Sequence, residues 1–221
     1  MPSNCKCAIF DNDGTLMESM YFWRLGALEY MIAHRLPIPG KMTLEELFSC
    51  TSREFRRNIA QEHGEISFEE MVCEMEERMA RHYRYDVREK PGVAAFLARL
   101  QAQGMRMCVA TAAPRELCEE ALERLGLRGY FEFVLGRHDM ALGKDDPEYF
   151  RQVASRLGAA CEDCWVFEDA LYAVKGAKAA GMRVCAVGDY TAMRQRAEIR
   201  AAADAYIDDY LQTEAFDAAL Q

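Results

Sequence analysis

The sequence predicts an α/β protein: a Rossmann-like, doubly wound parallel sheet as the core, with an α-helical cap domain inserted into it. Two observations carry this prediction. From Pro91 onward, short apolar runs of strand length alternate with helical periodicity, the pattern of strands joined by crossover helices. One further run, Cys7-Ala8-Ile9-Phe10, stands apart near the N-terminus, and only helical periodicity fills the interval from Glu18 to about Tyr85. At 221 residues the chain lies between one average domain and two. A core of residues 1–16 and 88–221 interrupted by a cap of residues 17–87 resolves that length.

In chain order, Cys7–Phe10 is apolar throughout, as a buried strand requires. Phe22, Leu25, Leu28 and Ile32 mark one helical face; Leu44, Leu47 and Phe48, then Phe55 and Ile59, mark others. Phe68, Met71, Val72, Met75 and Met79 recur at threes and fours. Pro37-Ile38-Pro39-Gly40 and Gly64 interrupt these stretches, and Ser67 is placed to cap the last. Beyond Pro91-Gly92, Val93, Phe96, Leu97 and Leu100 line a helix that Gly104 ends, before a strand over 105–110. Pro114 stands where a first helical residue would, ahead of Leu117, Ala121, Leu122 and Leu125, with Gly126 past the end. Phe133-Val134-Leu135 is the next strand, and Pro147 opens a helix through Phe150, Val153 and Leu157. Trp165-Val166-Phe167, the run 184–187 and Ala205-Tyr206-Ile207 complete six strands.

The 27 basic and 36 acidic residues sum to −9. Such a body repels phosphate backbones and anionic lipid, so neither nucleic acid nor membrane is an expected partner. No apolar run approaches membrane-spanning length, and the first residues lack the apolar core of a signal peptide. Nine cysteines are odd in number and too sparse for a disulfide framework, which points to a cytoplasmic location. His34, His63, His82 and His138 have no metal-ligand spacing.

Open parallel sheets bind ligands beyond the carboxyl ends of their strands. Asp11-Asn12-Asp13-Gly14-Thr15 follows the first strand, Thr111 the second, and Glu168-Asp169 the fourth; Lys144 lies in the loop before the Pro147 helix. Any one of these alone reads as a turn residue or solvated surface. Together they place four carboxylates, a hydroxyl and an ammonium on one sheet edge. Such a carboxylate cluster is costly without a cation, and Mg²⁺ with oxygen ligands is the natural remedy.

Four segments resemble the motifs of the haloacid dehalogenase-like hydrolase superfamily: 10–16, Val109-Ala110-Thr111, Gly143-Lys144 with Pro147, and Val166-Phe167-Glu168-Asp169-Ala170. The helical insert after the first is similar to the subclass of phosphoglycolate-type phosphatases and β-phosphoglucomutase. The resemblance implies a Mg²⁺-dependent phosphatase of a small phosphorylated metabolite. Asp11 would be the nucleophile that forms an aspartyl-phosphate, and Asp13 the general acid and base. It assigns the metal to Asp11, Asp13 (through its carbonyl) and Asp169, with Glu168 a direct or an outer-shell ligand, and the phosphoryl oxygens to Asn12, Thr111, Ala112 and Lys144. The superfamily's dehalogenases lack a second aspartate, so Asp13 points away from dehalogenation.

In the cap, Arg53 within Cys50-Thr51-Ser52-Arg53-Glu54 resembles an arginine that grips a distal phosphate, although Cys50 replaces a glycine. Trp23 occupies the position of the mutases' histidine, which favours transfer to water. It reads either as a cap-core aromatic or as a surface for an apolar substrate portion. Ala113 replaces a Ser or Asn near the phosphate, with Arg115 as a substitute cation. Cys5, Cys7, Cys161 and Cys164 lie where neighbouring strands begin, as small buried hydrophobes or as a zinc or oxidisable set. A phosphosugar mutase and a phosphate-binding regulatory protein remain the alternatives to a phosphatase. A monomer or weak homodimer is expected.

Overall fold

A computed structural model describes residues 6–36, 57, 60 and 67–220. Six strands form one sheet: β1 (Cys7–Phe10), β2 (Arg106–Ala110), β3 (Val134–Leu135), β4 (Cys164–Glu168), β5 (Arg183–Val187) and β6 (Ala205–Ile207). The order is β3-β2-β1-β4-β5-β6, and every neighbouring pair is parallel. β1 is therefore central, and the order changes direction beside it, where doubly wound sheets open a crevice.

Alternation along β1 divides the core. Ala8 and Phe10 face a cluster with Phe96 and Leu100 of α3 (Val93–Ala102), Cys118 and Leu122 of α4 (Arg115–Arg124), and Phe216 of α8 (Glu214–Leu220). Cys7 and Ile9 face the opposite cluster, with Phe150 and Val153 of α5 (Pro147–Arg156), Val174 and Ala177 of α6 (Leu171–Ala179), and Ile199 of α7 (Arg196–Ala202). Phe10 stacks on Phe167 of β4 at 4.4 Å, and Phe96 meets Phe167 edge-on at 5.4 Å. These contacts anchor the two strands that carry the acidic loops.

Pro114 is corrected by one position. Its ψ of 133° is extended, so it precedes α4 instead of starting it. Pro147 does open α5, behind Asp146, whose side chain accepts the Glu148 N–H. The C-terminal helix α8 had no reading in the periodicity, yet Phe216 is fully buried against Trp165 and Phe96.

The interval after β1 begins with α1 (Met20–Ala33) and closes with α2 (Phe68–Tyr85), capped by Ser67, and the two helices pack together. Ala27, Tyr30, Met31, Met71, Val72 and Met75 form a separate apolar cluster. The stripe along α2 does not stop there: Met79 and Tyr83 continue it into the main core cluster. The chain on either side of this excursion is joined to itself. Met17 bridges Glu89 in antiparallel fashion, the Glu18 N–H donates to the Arg88 carbonyl at 2.9 Å, and the Lys90 N–H to the Leu16 carbonyl at 2.8 Å.

Candidate active site

β1 and β4 deliver their last residues side by side. The Asp11 N–H donates to the Phe167 carbonyl at 2.9 Å, which extends the ladder by one residue and sets Asp11 beside Glu168. The chain then curls tightly, because the Asn12 carbonyl accepts the N–H groups of Leu16 and Met17, each at 2.9 Å. Gly14 has φ +83°, and a Cβ there would collide with the Asp169 carboxylate. The first acidic loop thus lies directly on the second.

Asp11, Glu168 and Asp169 are buried, and one carboxylate oxygen of each lies within 4.8 Å of the others. Lys144 reaches them from the loop before α5. Its ammonium donates to Asp11 Oδ1 and, at 2.8 Å, to Glu168 Oε2. Glu168 Oε1 accepts the N–H groups of Asp169 and Ala170, both at 3.2 Å. Gly176 of α6 lets that helix close against the Lys144 carbonyl, where any Cβ would overlap.

Charge here does not balance. Burial pushes the Asp11 carboxyl up to about 8, with the Glu168 charge adding to the shift and Lys144 opposing it. Burial, then Glu168 and Asp11, hold Asp169 well above the usual carboxylate range. Burial works against the Lys144 ammonium, but Asp11 and Glu168 outweigh it and keep it charged. Fully ionised, this carboxylate set would carry more negative charge than one ammonium offsets, and its donors are all oxygens. Those residues fit a hard divalent cation.

Asp13, two positions on, meets different surroundings. Its Oδ1 accepts the Ser19 hydroxyl at 2.5 Å and the Tyr83 phenol; its Oδ2 accepts the Thr111 hydroxyl at 3.4 Å. These donors are hydroxyls, and no cation among the described residues pairs with this carboxylate. The Thr111 oxygen also accepts the Ala113 N–H at 3.0 Å.

Among the predicted site residues, the fold gathers Asp11, Lys144, Glu168 and Asp169, with Asp13 and Thr111 at their margin and Asn12 buried in the loop between. Ala112 lies exposed beside Thr111. Arg53 and Cys50 lie outside the described residues. The Arg115 guanidinium pairs with Asp139 at 3.0 Å and Glu116 at 3.3 Å. Cys5 is outside the described residues; Cys7, Cys161 and Cys164 form no disulfide and belong to no metal-capable group among those described. His34 and His82 pair with Glu74 and Asp86. Ser19 and Tyr83 were not foreseen. Tyr83 had a signal, because positions 71, 75, 79 and 83 form one stripe that ends on a hydroxyl.

A cleft of about 570 Å³ opens beside the joined linkers, lined by Glu18, Tyr21, Lys90, Gly188, Asp189 and Tyr190 among others. The Lys90 ammonium, almost wholly buried, donates to the Gly188 carbonyl at 2.9 Å and to Asp189 Oδ2 at 3.2 Å. This ties the second linker to the end of β5.

The model of the haloacid dehalogenase-like hydrolases matches residues 8–187. A phosphorylated carbohydrates phosphatase of Thermotoga maritima is 32% identical over 186 residues, spanning 80% of this chain and 82% of that protein. A phosphoglycolate phosphatase of Salmonella choleraesuis is 29% identical over 199 residues, spanning 80% and 79%. The crystal structure of CbbY from Rhodobacter sphaeroides in complex with phosphate superimposes with a TM-score of 0.80 at 22% identity, covering 98% of this chain and 99% of that one. The chain belongs to the haloacid dehalogenase-like hydrolase family. Within it, this is an enzyme of the phosphatase subclass.

Proposed function

We propose that this phosphatase hydrolyses the monoester of a small phosphorylated metabolite, a sugar phosphate or a phosphoglycolate-like acid, by way of an aspartyl-phosphate on Asp11. The carrying observation is the contrast between two carboxylates two positions apart. Asp11 lies buried against Lys144 and the acidic pair, whereas Asp13 is surrounded by hydroxyls.

An Asp11 carboxylate oxygen attacks phosphorus as the bond to the substrate's alcohol oxygen breaks, and Asp13 gives that oxygen its proton. A water then attacks the acyl phosphate. Asp13 takes the water's proton, and the bond between phosphorus and Asp11 breaks to release phosphate and restore the carboxylate. Lys144 and Thr111, with the backbone N–H groups of Asn12 and Ala112, hold the phosphoryl oxygens as charge shifts among them. Asp11, Glu168, Asp169 and the Asp13 carbonyl would hold Mg²⁺, which would supply positive charge for the approach of a buried carboxylate to a phosphate dianion.

Residues 17–87 act as the cap over this site, and Arg53 reads the non-reacting part of the substrate. Two matched relatives are named for phosphorylated carbohydrates and phosphoglycolate, which supports that substrate class. The acidic charge of −9 is consistent with a small substrate in the cytoplasm and disfavours polyanions.

The test is phosphate release from a panel of phosphorylated metabolites, ranked by kcat/KM, with Mg²⁺ and with EDTA. Asp11→Asn should abolish turnover on every substrate while its circular dichroism stays that of the parent. Phosphate release by Asp11→Asn at the parent rate would overturn the nucleophile assignment.

A further inference from the structure

Asp13 is held in part by a side chain that the four recognised motifs do not contain. Tyr83 lies on the last turn of α2 and is fully buried. Its phenol donates to Asp13 Oδ1, and its oxygen accepts the Trp23 Nε1–H at 3.3 Å. An indole N–H can only donate, so the single proton of the Tyr83 hydroxyl is directed at Asp13. The backbone of Tyr83 is fixed from the other side: Arg124 of α4 donates to its carbonyl through Nε at 3.1 Å and Nη2 at 3.0 Å. The ring is therefore pinned between the excursion's first helix and the core.

This changes what each Asp13 oxygen can do. Oδ1 takes two donors, Ser19 and Tyr83. Oδ2 has the long 3.4 Å contact to Thr111, on the side where the phosphoryl group is expected. A proton-transfer group works best with one oxygen held and the other aimed at the reacting atom, because small misplacements are costly.

We propose that Tyr83, with Trp23 behind it, is a positioning residue that locks Asp13 through Oδ1 so that Oδ2 faces the leaving-group oxygen. The inference rests on the reading of Asp13 as the proton donor. Its signature is selective. Loss of the lock harms substrates whose leaving alkoxide needs a proton and spares those whose leaving phenolate does not.

The experiment compares kcat/KM, which reports events up to leaving-group departure, for glycerol phosphate and 2,4-dinitrophenyl phosphate. The variants are Tyr83→Phe, Trp23→Phe and Asp13→Asn. Tyr83→Phe should lose about tenfold on the alkyl ester and less than about twofold on the aryl ester. Trp23→Phe keeps Tyr83 and removes the N–H behind it together with part of the ring; the same pattern is expected at about threefold. Asp13→Asn should show the pattern at larger amplitude. Equal losses on both esters in Tyr83→Phe and Trp23→Phe would make the pair merely structural and overturn the proposal, as would an undiminished alkyl rate. Alkyl turnover that survives Asp13→Asn would overturn the reading of Asp13 beneath it.

Discussion

Lys144 and Glu168 form an ion pair of 2.8 Å with 5% and 2% of their side chains exposed, and the same ammonium also holds Asp11. It is the positive end of a buried site otherwise made of carboxylates, and two structural devices bring it there. The Asp146 cap fixes the start of α5 just beyond it, and Gly176 admits its carbonyl against α6.

Replacing that ammonium should be costly to both rate and fold. Lys144→Met should lower kcat by about 10²-fold or more on every substrate if Lys144 holds the phosphoryl group as proposed. Loss of one partner from a buried charge set should also destabilise the protein by roughly 3 kcal/mol. Urea unfolding in EDTA measures this.

The raised Asp11 carboxyl sets a pH dependence of definite sign. The folded protein, without a divalent cation, holds a proton on Asp11 up to about pH 8, whereas the unfolded chain releases it near 3.8. Between those values the folded state binds more protons, so its stability falls as pH rises. The loss approaches about 1.4 kcal/mol per pH unit for one such group before relaxation reduces it. Melting temperature in EDTA should therefore fall from pH 6 to pH 8. Added Mg²⁺ should raise it more at pH 8 than at pH 6, because metal binding must displace the proton at the lower pH.

Gly14→Ala tests the contact between the two acidic loops. The substitution meets a positive φ and the Asp169 carboxylate together. It should destabilise by about 1–3 kcal/mol and move Asp169, so activity should fall far more than stability predicts. Thermal melts alongside Mg²⁺ titrations of activity check this; a weakened metal dependence with the fold retained is the expected result.

Arg124→Ala removes a clamp on the end of α2. Its guanidinium donates to the Tyr83 carbonyl at 3.0 and 3.1 Å and to the Val87 carbonyl at 2.5 Å, satisfying acceptors at the helix terminus. A loss of about 1–2 kcal/mol is expected by chemical unfolding. Hydrogen exchange should quicken at the C-terminal end of α2 while β1 and β4 stay protected.

The parts of the fold that were legible share one property: their cause is local. The apolar run 7–10, the cap at Ser67 and Pro147 at the start of α5 each announce an element within a few residues. The four strand-end motifs were legible because a parallel sheet sends every such end to one edge. Tyr83 and Ser19 were not, because their meaning depends on a contact with Asp13 that periodicity cannot express. Trp23 could be read as core or as substrate surface; its N–H bond to Tyr83 is a third use that needs the fold to be seen. Phe216 was missed for a similar reason. A seven-residue terminal helix carries too short a period to recognise, although its ring closes one face of the core.

The joined linkers have an evolutionary and engineering consequence. The chain departs at Met17 and returns at Glu89, and those two residues pair through an antiparallel bridge. To the sheet, everything between them has almost no end-to-end span. Lengthening the part of that segment away from α2 and the Asp13 contacts changes no strand register and costs mainly loop-closure entropy, about 0.6 kcal/mol for each doubling of length. The same junction can therefore accept insertions of many sizes between α1 and α2 while the sheet below keeps its register, which separates the length of the excursion from the risk of unfolding the scaffold.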